Sequence, residues 1–109
     1  MPSITEQRLE LGGFATRALE LSPPAEAAGP PPLVLLHGYS DSADTWRPLL
    51  QRLAEQGRAA LALDMPGFGE AERLARDRPI LPQLDRFVAA AIGHAGAASP
   101  DGRVVVAGH

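Results

Sequence analysis

Short apolar runs that lead straight into glycine-bearing segments constrain this chain more than any other feature. Leu33-Val34-Leu35-Leu36 runs into His37-Gly38, and Val104-Val105-Val106-Ala107 runs into Gly108-His109. Neither run alternates apolar with polar residues. Each is therefore read as a strand covered on both faces, as in a parallel sheet. Between them Ala59 to Leu63 forms a further strand and ends at Asp64-Met65-Pro66-Gly67-Phe68-Gly69. In open parallel sheets chemistry gathers beyond the carboxyl ends of the strands, so these three ends are the places to search.

The segments between the strands carry helical spacing. Trp46, Leu49, Leu50, Leu53 and Ala54 fall on one stripe, predicting a helix over Thr45–Gln56 with Asp44 as N-cap, Pro48 in the first turn and Gly57 just past the end. Leu84, Phe87, Val88, Ala91 and Ile92 predict a second helix over Pro82–Ala95. Upstream, Arg8–Leu11 and Phe14–Leu21 alternate around Gly12-Gly13, which predicts an antiparallel hairpin with a two-residue turn. In Phe14–Leu21, Ala15, Arg17, Leu19 and Leu21 share one face. Ser22–Pro32 reads as a surface loop, Glu70–Arg78 as a solvated loop and Ser99–Gly102 as a turn. The pattern is β-β-β-α-β-α-β, an α/β fold, with residues 1–109 belonging to one domain.

Composition removes several classes of function. There is no cysteine among the 109 residues, which excludes disulfide scaffolds and thiolate metal sites. A net charge of −3 leaves no basic footprint for nucleic acid or a membrane surface. Met1–Glu10 lacks the features of a signal peptide, and the nearly apolar stretch Phe87–Ala98 is too short to span a bilayer, so a cytoplasmic chain is expected. His37, His94 and His109 have no metal-ligand spacing. Gly67-Phe68-Gly69 fails as a dinucleotide fingerprint because its third glycine would fall at Glu72, and no cofactor is expected.

The candidate chemistry lies in the strand-end segments. The loop His37-Gly38-Tyr39-Ser40 exposes backbone N–H groups suited to an oxyanion, although an ordinary strand-to-loop turn has the same composition. Asp64 is either a catalytic carboxylate or the stabiliser of its turn. Trp46 belongs to the core on its stripe, and His94 to the surface near a helix end.

Taken in order, these segments resemble the N-terminal part of an α/β-hydrolase, especially the serine esterase, lipase and C–C hydrolase branch. The resemblance runs from Leu9 to His109 and covers less than half of a typical domain of that family. It implies a three-layer, incomplete fold with strand order 1-2-4-3-5. It also implies that Gly108 and His109 are the first two positions of a G-x-S-x-G nucleophile elbow, with the nucleophile immediately after His109. Tyr39 then supplies one backbone N–H of the oxyanion hole, His37 and Gly38 shape that turn, and Ser40, Asp64, Gly67 and Gly69 lie close to the active site. The acid and base of the triad come later in chain order. The sequence departs from the family in having Glu70-Ala71-Glu72 where serine often follows the glycine turn. It also lacks proline at positions 39 and 40, which argues against an epoxide hydrolase.

The expected activity of the complete protein is hydrolysis of a small-molecule ester, amide or related acyl substrate. The 109 residues alone hold no complete triad and are expected to be inactive. The open edge of the last strand is expected to cause self-association. The alternative is a non-catalytic complementation module that uses the same edge.

Overall fold

The computed structural model describes residues 3–22 and 30–109; residues 23–29 of the Ser22–Pro32 connection lie outside the described residues. Strand β1 (Thr5–Leu11) and strand β2 (Phe14–Leu21) form the hairpin, with Gly12 and Gly13 at φ of 60° and 91°. These left-handed angles suit the right-handed twist of a two-residue hairpin and cost glycine little. The first strand begins three residues before the predicted Arg8, because Thr5–Gln7 continue the register opposite Glu20–Ala18.

Strands β3 (Leu33–Leu36), β4 (Ala60–Leu63) and β5 (Val105–Gly108) complete a five-stranded sheet of order β1-β2-β4-β3-β5. The β3–β4 and β3–β5 pairs are parallel, and β2–β4 is antiparallel. Helix α1 (Arg47–Glu55) and helix α2 (Ile80–Gly96) cover opposite faces. Leu50 and Leu53 of α1 pack with Leu19, Leu21, Leu35, Ala60 and Ala62. Phe87, Ala91 and Ala95 of α2 pack with Phe14, Ala18, Val34, Leu61 and Leu63. Alternate residues of each central strand thus serve two cores, which gives three layers. The predicted strand order is found.

Four local readings are corrected. The first helix opens with a 3₁₀ turn, Ala43–Trp46, whose N-cap is Ser42; the Ser42 hydroxyl accepts from Asp44 N–H. Asp44 is not the cap because its carboxylate is taken by Arg17 and Arg47. Trp46 packs against the α1-side core, partly buried, but Leu49 of the same predicted stripe is 39% exposed and does not join that core. The Glu70–Arg78 loop is anchored rather than freely solvated: Glu72 N–H donates to Ala15 O, and Ala75 is held by the Gln83 side chain. Finally, β5 is not buried. Val105 and Val106 are 43% and 44% exposed, because among the described residues β5 pairs only with β3 and is an edge.

Candidate active site

The carboxyl ends of β3 and β4 are joined by the His37 imidazole. Met65 N–H donates to His37 Nε2 at 2.8 Å, so that nitrogen must accept. The proton of the neutral ring therefore sits on Nδ1, which is 2.7 Å from Gly38 O and donates to it. Asp41 N–H donates to the same carbonyl at 3.3 Å. A trans peptide points its N–H opposite to its C=O. With the Gly38 carbonyl held by two donors, Tyr39 N–H is turned to the other side, where it has no acceptor among the described residues. The turn closes through Ser40 at φ 64°, a left-handed angle that is uncommon outside glycine.

Phe68, from the loop after β4, braces this turn. Its ring meets His37 edge-on at 5.8 Å and Tyr39 edge-on at 5.4 Å. Gly67 (φ 90°) and Gly69 (φ 54°) give the loop the tight path that sets Phe68 there. A side chain at Gly69 would overlap the Asp64 carboxylate as well as straining the backbone.

Asp64 itself is fully buried and faces away from the cavity described below. Its carboxylate accepts from Arg17 Nε and a terminal Arg17 nitrogen, from Ala43 N–H at 2.8 Å and from Glu70 N–H at 2.9 Å. Burial pushes the carboxyl up, but these four donors outweigh it and hold it below the ordinary aspartate value. Asp44 is held down to about 2 by its bonds from Arg17 and Arg47. Arg17 is raised above its already high value by Asp44 and Asp64. Asp64 therefore organises three segments, β2, the 3₁₀ turn and the loop after β4.

At the other end of the sequence, the close of β5 lies against the first turn. His109 N–H donates to Leu36 O at 3.2 Å, and a Cβ on Gly38 would stand 2.7 Å from His109 O. Glycine at 38 is thus a condition for the approach of β5. Beside this junction lies a cavity of about 410 Å³. His37, Gly38 and Tyr39 form one wall; Met65, Pro66, Phe68, Leu74, Ile80 and Leu84 form the rest. The structure brings together His37, Gly38, Tyr39, Gly108 and His109, and leaves Asp64 behind them.

The model of the α/β-hydrolase fold family matches residues 31–109. The chain belongs to that family. This α/β-hydrolase is 46% identical over 50 residues to the rat (Rattus norvegicus) protein named "Putative protein-lysine deacylase ABHD14B", covering 44% of the chain and 24% of that relative. It is 33% identical over 73 residues to epoxide hydrolase A of Mycobacterium tuberculosis, covering 67% of the chain and 21% of that relative. The crystal structure of epoxide hydrolase VrEH1 from Vigna radiata has the same fold, with a TM-score of 0.79 at 23% identity over 97% of the chain and 30% of the other. The chain spans about a quarter of the length of these curated relatives.

Two organising residues escaped the sequence reading. Arg17 was signalled by its parity, since it shares a strand face with Leu19 and Leu21 yet is charged. Gln83 was signalled by its position four residues before Phe87 on the buried face of α2. Among the described residues no group of three His, Asp or Glu could hold a metal, and no helix is long and apolar enough to cross a membrane.

Proposed function

We propose that these residues supply the oxyanion-binding turn and part of the substrate pocket of an acyl hydrolase. One observation carries the reading: the unpaired Tyr39 N–H, fixed through Gly38 and His37, adjoins an apolar cavity at the carboxyl ends of β3 and β4. Hydrolysis of an ester or amide passes through a tetrahedral oxyanion, and a preorganised N–H stabilises that charge where it develops. The nucleophile is a serine immediately after His109, which the approach of His109 to Gly38 would bring beside Tyr39. The apolar cavity takes the hydrocarbon part of a small acyl substrate. No member of the triad lies within the 109 residues, so they do not turn over substrate by themselves.

The test uses p-nitrophenyl butyrate and the whole protein that carries these residues. Tyr39→Pro removes the N–H and is expected to lower kcat by about 10²–10³ while changing KM little. An unchanged kcat sinks the reading. The 109 residues alone are expected to show no hydrolysis above their own Tyr39→Pro control.

The exposed β5 edge favours a second reading, a complementation module that pairs through that strand with another polypeptide. A C-terminal partner that binds one-to-one without restoring ester hydrolysis would favour this reading over the first.

A further inference from the structure

A second cavity, of about 250 Å³, lies at the hairpin turn and has a different chemistry. Its rim carries Arg73, Arg78 and Arg86, with Glu72 as its one acidic residue. The chain as a whole has 13 acidic residues against 10 basic ones, and every basic residue is arginine. Three of those ten arginines therefore gather at one concave site on an acidic protein.

The site is built rather than incidental. Gly12 is pressed against α2 so closely that a Cβ there would stand 2.7 Å from the Arg86 carbonyl. This fixes the hairpin turn beside Arg86. On the other side, the buried Gln83 amide clamps the loop: its oxygen accepts from Ala75 N–H, and its nitrogen reaches the carbonyls of Ala75, Arg78 and Pro79. The clamp holds Arg73 and Arg78 at the rim.

The charges there are largely unspent. Glu72 Oε1 accepts from Ala15 N–H. Arg73 and Arg86 have no ion pair among the described residues, and Arg78 has only Asp77, at 3.9 Å and exposed. Gly12 and Gly13 also line the cavity, and their N–H groups have no acceptor among the described residues. Three guanidinium forks and two free backbone donors, with a formal charge of +2 after Glu72, match a dianion carrying several oxygens.

We propose that the arginine-lined cavity beside the Gly12-Gly13 turn binds the phosphate group of a small soluble phosphate ester. A phosphate monoester is close to a dianion at neutral pH, and its oxygens suit bidentate arginine contacts. This site is separate from the apolar cavity. The loop between Glu72 and Pro79 runs between the two and turns Leu74 toward one and Arg73 toward the other.

Titration of the full chain with inorganic phosphate and with ribose 5-phosphate, followed by amide NMR, tests the proposal. The Gly12 and Gly13 amides are expected to shift and saturate, at a midpoint that chloride at equal ionic strength does not reproduce. Arg73→Gln and Arg86→Gln are each expected to weaken binding by about tenfold. Both arginines are exposed, so the fold survives either change, and Arg52→Gln on α1 serves as a control expected to leave binding unchanged. Shifts that grow linearly without saturating, or that persist in the Arg73→Gln/Arg86→Gln double variant, overturn it. So does retention on phosphatidic acid vesicles without any response to soluble phosphate.

Discussion

Arg17 and Asp64 meet in a two-point fork, with Nε 3.0 Å from one carboxylate oxygen and a terminal guanidinium nitrogen 3.2 Å from the other. Asp64 is fully buried and Arg17 nearly so. Removing the cation leaves a buried carboxylate with only two backbone donors. Arg17→Met is therefore expected to lower the unfolding free energy by about 3–5 kcal/mol. Arg17→Met combined with Asp64→Leu is expected to recover much of that loss, because no lone charge remains. Urea denaturation measures both. A single-variant cost below about 1 kcal/mol, the range of an exposed pair, shows that the fork does not hold the fold.

The same cluster makes the fold sensitive to acid. Asp64 and Asp44 both have folded-state pKa values below the ordinary aspartate value, Asp44 at about 2. A group depressed by folding contributes stability above its unfolded pKa and loses it as pH falls through the folded one. Stability is therefore expected to be level above about pH 5 and to fall from about pH 4 toward about pH 2. Asp44→Asn should flatten part of that slope. Denaturation midpoints across this range check it, and a protein that gains stability on acidification contradicts it.

Much of this architecture is legible in residue order alone. The unbroken run Leu33–Leu36 already requires cover on both faces, and the glycine pair after Leu11 requires a hairpin. The strand order came through the family resemblance. What periodicity does not reveal is the use of a polar residue in a buried position. Arg17 and Gln83 look like interruptions of an apolar face, yet each ties a distant loop to the core through its hydrogen bonds. Asp44 satisfies the composition rule for a helix cap, but the arginines on either side claim its oxygens. The burial of β5 could not be read from its valines, because burial depends on a neighbouring strand and not on the strand's own composition.

Gly38 is held as glycine by a neighbour and not by its backbone angle. Gly38→Ala puts a methyl group 2.7 Å from His109 O, a main-chain atom that must shift to make room. The expected cost is about 1–3 kcal/mol, as for other overpacked sites. Gly13→Ala is the informative contrast, since nothing lies within 4 Å of its Cβ and only its φ of 91° opposes the change. In Gly38→Ala the amide resonance of His109 should move strongly; in Gly13→Ala it should stay in place. Equal responses would show that β5 does not lean on the first turn.

Under the proposed function His37 acts through Tyr39 rather than on substrate. His37→Phe keeps a ring against Phe68 but removes the bonds to Met65 N–H and Gly38 O. The Gly38–Tyr39 peptide then loses one of its two anchors. In the whole protein kcat for p-nitrophenyl butyrate is expected to fall by about tenfold or more with KM little changed, since the oxyanion donor matters only in the transition state. His37→Gln, which can still bridge the two backbone groups, should recover part of the rate. A larger loss for His37→Gln than for His37→Phe would remove His37 from this role.

The β5 edge presents a separate test. Val105 and Val106 point to opposite faces of the sheet, and each is more than two-fifths exposed. Along the outer side of β5 the backbone groups have no partner strand among the described residues. An apolar edge of this kind recruits another strand, and a lysine placed on it opposes pairing because its charge would have to be desolvated. Val106→Lys is therefore expected to shift the 109-residue chain toward monomer in sedimentation velocity, with unfolding free energy changed by no more than about 0.5 kcal/mol, as for a typical surface substitution. Lysine at the exposed Gln51 of α1 changes surface charge away from the edge and should leave the association state alone. If both lysines dissociate the chain equally, net charge and not the strand edge governs its association.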